Sequence, residues 1–107
     1  MSGLDDRENV FEKKFAQDQE LQFKVLARRD KLLGVWAAGK LGKTGADVDV
    51  YAKSVVASDL EQPGDDDVIS KVLADFDQAK VPMDETQLRY EMGRALVEAK
   101  RQMMGEI

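Results

Sequence analysis

The chain contains no cysteine and no histidine among its 107 residues. It can therefore form no disulfide, no thiol nucleophile, no zinc site built from cysteine and histidine, and no imidazole general base. The usual side chain for a switch near neutral pH is absent as well. Because enzymes of this length that lack both residues are a minority, the composition favours a protein that is not an enzyme.

Long apolar runs are also missing. No stretch approaches the roughly 18 consecutive apolar residues of a membrane span, and the acidic residues 1–20 have no hydrophobic signal-peptide core. We therefore expect a cytoplasmic protein that does not insert into a membrane.

The charges are segregated along the chain. A net charge of −5 argues against a general nucleic-acid partner, because a phosphate backbone needs a basic face. Residues 21–44 nevertheless carry six bases and one acid, whereas residues 45–67 carry seven acids and one base. The basic block could receive an acidic partner or a nucleotide phosphate, or it could offset the acidic helices of the same protein, which is the interpretation we favour.

Apolar residues recur at helical spacing, and no segment alternates with period two over more than a few residues, so the sequence predicts an all-α fold. Helices are expected from about Asp5 to Lys40, from about Gly45 to Ser58, after the turn at Pro63, and from Asp84 onward. Short loops favour antiparallel neighbours. The prediction is a small four-helix bundle with a long first helix.

Residues at the breaks between helices have the chemistry of caps. Thr44 with Asp47 has capping-box form, and Asp84 precedes Gln87 by three positions, as in a second cap. The aspartates 65–67 should supply a cap and negative charge to the third helix, which Pro82 should end. Their contiguous spacing does not match a calcium loop, and no metal site is predicted.

The two halves of the first helix differ in apolar content. From residue 23 onward a dense stripe should face the core, formed by Phe23, Leu26, Ala27, Leu33, Trp36 and Ala37. Between Phe11 and Leu21 only Phe15 and Ala16 are apolar, so this half can bury little surface. We predict a flexible N-terminal segment, residues 1–19, and a bundle domain, residues 20–107. Phe11 and Phe15 lie one turn apart and would anchor a helix that forms against a partner.

The segment from Gly39 to Thr44 partly matches a phosphate-binding loop. The match is incomplete because Ala37 stands where a glycine is required and a helix precedes the segment. A glycine-terminated helix followed by a cap explains the same residues. Lys40, Lys43 and Thr44 still lie beside a helix N-terminus, where they could hold ADP or ATP weakly.

Three segments together resemble a known family. They run from Asp5 to Glu8 with Phe11 to Ala16, from Ala27 to Ala38, and from Pro63 to Val68. In this order, and over nearly the whole chain, they resemble the zeta subunits of alphaproteobacterial F-type ATP synthases. The resemblance implies a four-helix bundle whose flexible N-terminal segment inserts, as a helix, between catalytic subunits of the ATP synthase head and blocks ATP hydrolysis.

By this resemblance the partner is the catalytic head, and residues from Asp5 to about Gln19 form the inhibitory segment. We expect Phe11 and Phe15 to enter apolar pockets of the partner. Charged residues should surround them, namely Asp5, Asp6, Arg7, Glu8, Lys13 and Lys14. No resident cofactor is expected. The alternative is a small adenine-nucleotide sensor that uses Lys40, Lys43 and Thr44.

Overall fold

The structure is a computed structural model that describes the backbone of residues 3–106 and the side chains of residues 6–106. Within this part of the chain there are five α-helices and no strand. The helices are α1 Gly3–Gln17, α2 Gln19–Lys40, α3 Ala46–Glu61, α4 Asp65–Gln78 and α5 Glu85–Glu106. None of these helices is long and apolar enough to cross a membrane. The prediction of a four-helix bundle is wrong, because the expected first helix is divided into two.

The division falls at Asp18. Its backbone leaves the helical region with φ −105° and ψ 104°, and its Oδ1 accepts a hydrogen bond from the N–H of Leu21 at 3.1 Å. The carboxylate thereby satisfies an N–H group that the first turn of a helix leaves without a partner. Asp18 is the N-cap of α2, and the chain changes direction there.

α2 is the central helix and packs against both α3 and α5. Its approach to α3 is closest at the buried Gly34, where an added Cβ would lie 2.6 Å from the Cα of Ala52. Any side chain at this position would force the two backbones apart, at a cost typical of an overpacked core. The contact between these helices therefore requires glycine.

The face of α2 that enters the core matches the predicted stripe only in part. Leu33 and Ala37 are buried as predicted, whereas Phe23 is 54% exposed and Val25 is buried instead. The assignment of Phe23 to the core stripe is therefore wrong. Apolar residues are so dense along this helix that their spacing alone does not fix which face turns inward.

Two apolar clusters stabilise the bundle. The larger one joins α2, α3, α4 and α5, and includes Leu33, Val55, Phe76 and Leu88. Trp36 is half-buried and packs against this cluster, with its ring centroid 6.4 Å from that of Phe76. The smaller cluster joins α1, α2 and α5 and contains Phe11, Leu21, Val25, Ala99 and Met103.

The end of α4 comes earlier than Pro82, since the helix stops at Gln78. Lys80 adopts a left-handed backbone with φ 59°, and the N–H of Val81 donates to the carbonyl of Phe76 at 2.9 Å. These features close the last turn before the proline is reached.

The predicted caps have different outcomes. The N-cap of α3 is Gly45, without a side-chain hydrogen bond, so the prediction that Thr44 caps this helix is wrong. The N-cap of α4 is Gly64, also without a side-chain hydrogen bond, so the prediction that the aspartates 65–67 supply a cap is wrong. All three do lie in the first turn of α4, where their charge interacts favourably with the helix dipole. The cap at Asp84 is confirmed, because its Oδ1 accepts from the N–H of Gln87 at 2.7 Å.

A charged cluster is buried where α2, α3 and α4 meet. Arg29 and Asp30 of α2 are both almost completely buried. The guanidinium of Arg29 lies 2.9 Å from Asp30, 3.7 Å from Asp59 and 2.7 Å from Asp65. Three carboxyl groups thus surround one cation, which leaves an excess of negative charge if all three are ionised.

A proton on Asp30 relieves this excess. Burial, together with the neighbouring carboxyl of Asp59, raises the pKa of Asp30 to about 8 against the opposing attraction of Arg29. The Oδ2 of Asp30 is buried and accepts no hydrogen bond from the described residues. Because no donor stabilises negative charge on that oxygen, the neutral form of the carboxyl group is favoured.

We predict that Asp30 makes folding less favourable as the pH rises from about 4 to about 8. Its pKa is raised from an ordinary value of 3.8 to about 8 on folding, so the folded state binds the proton more tightly. The stabilising contribution of protonated Asp30 to the free energy of unfolding is fully present below about pH 4, and it is lost as the pH rises through about 8. Asp30→Asn should flatten this part of the stability curve, measured by urea unfolding across the range.

The matched control is Asp77→Asn, because Asp77 is exposed on α4. This substitution should leave the pH dependence nearly unchanged. An Asp30→Asn variant with the same slope as the parent protein would show that Asp30 is already ionised in the folded state.

Candidate functional site

α1 lies against the C-terminal half of α5 and the start of α2, and its two phenylalanines lie at this contact. Phe11 is only 4% exposed and belongs to the smaller apolar cluster. Phe15 is half-buried and stacks on Phe11, with ring centroids 6.3 Å apart and planes at 13°. The two rings therefore form one continuous apolar face.

Polar contacts with α5 border this face. The Nζ of Lys100 lies 4.4 Å from the ring centroid of Phe15 and 3.1 Å from a carboxylate oxygen of Glu12. The guanidinium of Arg7 donates to the carbonyl of Met104 at 2.8 Å. The pair formed by Glu12 and Lys100 was not anticipated from the sequence, because its members lie far apart along the chain.

The other charged residues predicted for the site face outward. Asp6, Glu8, Lys13 and Lys14 are all exposed on α1. The side chain of Asp5 lies outside the described part of the chain. The helix thus has an inward aromatic face and an outward charged face.

The attachment of α1 rests mainly on one ring. Among the side chains of residues 6–17, Phe11 alone is buried. Burial of such a ring contributes about 1.5–3 kcal/mol, whereas exposed ion pairs of the kind made by Glu12 contribute about 0–1 kcal/mol. The segment is helical in this structure, and its separation from the bundle as a flexible unit ending at residue 19 stays a prediction.

The residues predicted to contact a nucleotide lie at the junction between α2 and α3. Lys40 and Thr44 are exposed, and Lys43 is partly buried. The Nζ of Lys43 lies 5.6 Å from the ring centroid of Tyr51 on α3. Only Lys43 of these three therefore faces the interior side of the junction.

A second lysine, which the sequence did not single out, reaches the same ring from α4. The Nζ of Lys71 lies 5.3 Å from the Tyr51 centroid and 2.8 Å from Asp75. A cavity of about 340 Å³ lies between Lys43 and these residues. Burial, with a hydrogen bond to Asp75, raises the pKa of Tyr51 far above its ordinary value, so the phenol stays protonated. The two ammonium groups could contact a phosphate, although Asp75 already neutralises Lys71 and accepts the hydroxyl proton of Tyr51.

Comparison with known proteins is consistent with this helical architecture. A family model described as ATPase inhibitor subunit zeta matches residues 1–102. A solution NMR structure of a protein 41% identical in sequence superposes with a TM-score of 0.71, over 81% of this chain and 99% of that chain. No curated protein matches the chain. Because the family model spans nearly the whole sequence, this chain belongs to the family of ATPase inhibitor zeta subunits.

Proposed function

We propose that this protein is a regulatory, non-catalytic subunit that inhibits ATP hydrolysis by the catalytic head of the F-type ATP synthase in the cytoplasm. Membership of the ATPase inhibitor zeta family supports an inhibitory role and an ATPase as the partner. The proposed inhibitory element is α1, which would insert between catalytic subunits and oppose the conformational change that hydrolysis requires.

The observation that supports α1 in this role is its shallow attachment to the rest of the protein. The larger apolar cluster, as described, contains no residue of α1. α1 can therefore leave its position without opening the main core. The side chain of Asp18 caps α2 through the N–H of Leu21, a residue of α2 itself, and so independently of α1. The first turn of α2 would therefore stay helical after such a release.

Release of α1 has an energetic cost that the partner must offset. It would expose Phe11 and the residues beneath it, chiefly Leu21, Val25 and Met103. Pockets that accept both Phe11 and Phe15 would bury more of these rings than the bundle does, because Phe15 is only half-buried here. Arg7 and the outward charges of α1 could then pair with the rim of the cleft.

Deletion of residues 1–17 should abolish inhibition while the rest of the protein stays folded. The measurement is ATP hydrolysis by the purified catalytic head, with added full-length or shortened protein. The melting temperature should fall, because Leu21 and Val25 become more exposed, but the transition should stay cooperative. A shortened protein that inhibits as well as the full chain would exclude α1 as the inhibitory element.

Substitution of the main anchor, Phe11→Ala, should raise the Kd for the head by about 30-fold, since truncation of a binding hot spot costs about 2 kcal/mol. The matched control is Tyr90→Ala, because Tyr90 is an exposed aromatic residue on α5. The control should bind as the parent protein does. Equal affinities for the two variants would contradict the anchor role of Phe11.

Weak binding of ADP or ATP near Lys43 is a second proposal, supported by the convergence of Lys43 and Lys71 on one small cavity. A titration followed by amide NMR should shift signals near Lys43 and Lys71, with a Kd on the order of millimolar. Lys43→Ala should reduce these shifts. Lys80→Ala, at an exposed lysine just beyond α4, should leave these shifts unchanged. Shifts confined to α5 would contradict this site.

A further inference from the structure

A long groove follows the outer side of α2, with α3 on one side and α1 and the end of α5 on the other. Its volume is about 1180 Å³, and it borders the break between α1 and α2. Three large apolar side chains line it and stay exposed, Phe23 by 54%, Val35 by 44% and Leu60 by 56%. Isolated exposed apolar residues are ordinary, whereas several that line one groove indicate an interaction surface.

The rim of this groove is basic. It includes five cationic side chains, Lys14, Lys24, Arg28, Lys31 and Lys53, and three acidic ones. The lining thus has a net charge of +2, and of +1 once Lys14 has left with α1, although the whole chain has a net charge of −5. The ion pairs within it, such as Lys24 with Glu20, are exposed and contribute little, so acidic groups of a partner can replace them.

The dimensions of the groove suit a helix. Phe23 and Val35 lie on the same helix and are about 18 Å apart along its axis, which corresponds to about three turns. An amphipathic helix that lies in such a groove places an apolar stripe on the floor and its charged flanks on the rim. Because the rim is basic, it favours a helix whose flanking side chains are acidic.

A second copy of this protein is a poorer occupant. A symmetric dimer through this groove would bring the same surface of both copies together. Two surfaces with the same positive charge would then face each other, which opposes association. A partner of opposite charge does not meet this penalty.

We propose that this groove along α2 and α3 docks an acidic amphipathic helix of the catalytic head that α1 inhibits. This inference rests on the proposed function. Docking here would hold the bundle at the surface of the head while α1 enters the cleft. The groove and α1 adjoin at Asp18. Docking of the groove on the head would therefore raise the effective concentration of α1 at the cleft.

The test uses the full chain and the purified catalytic head. One variant, Phe23→Ser with Leu60→Ser, removes apolar contacts, and another, Lys24→Glu with Lys31→Glu, reverses rim charge. Each should raise the Kd for the head by about tenfold or more. The matched control, Tyr90→Ser with Val97→Ser, alters exposed residues of α5 and should change the Kd by less than about twofold. Thermal melts of all variants should coincide within a few degrees, because each altered residue is exposed.

A photo-crosslinking amino acid at Ala57, which lines the groove, identifies the occupant. Mass spectrometry should find the crosslink in a helical, acidic segment of the head. A crosslink to a basic or non-helical segment would overturn the proposal, as would groove variants that bind and inhibit like the parent. A dimer of the free protein, seen by sedimentation and lost in both groove variants, would also overturn it. If the parent protein neither binds nor inhibits the head, the proposed function itself fails.

Discussion

The buried guanidinium of Arg29 is the interaction on which the arrangement of α2, α3 and α4 depends. A buried cation that lost its partners would cost about 3–5 kcal/mol. Asp59 near the end of α3 and Asp65 at the start of α4 must therefore reach the same point on α2. With these ends fixed, α3 crosses α2 at Gly34, where only glycine allows the observed approach.

α1 lies outside this arrangement. It contacts the smaller cluster through Phe11 and the end of α5 through Arg7 and Glu12. The main apolar cluster is thus built from α2, α3, α4 and α5. Removal of α1 would leave this cluster intact. Such a division suits the role proposed for α1, because a helix that leaves the bundle to enter a partner cannot also be required for the fold. The dependence of stability on Asp30 belongs to the core and is separate from this contact.

Particular residues show why prediction succeeded for some elements and failed for others. The cap at Asp84 depends on residues three positions apart, so local sequence was sufficient. The break at Asp18 also depends on a local hydrogen bond. The residues on both sides of it favour helix, however, so the sequence predicted one continuous helix. The inward face of α2 could not be chosen, because burial of Val25 in place of Phe23 is decided by contacts with α1 and α5.

The sequence by itself determined the all-helical class, the absence of thiol and imidazole chemistry, and the spacing of Phe11 and Phe15 on one helical face. Each of these depends on residue types or on separations of a few positions. Only the tertiary structure decided that Phe11 packs on α5, that Lys43 meets Lys71 at Tyr51, and that burial beside Asp59 raises the pKa of Asp30. These features join residues far apart along the chain, and their energies depend on burial, which periodicity does not specify.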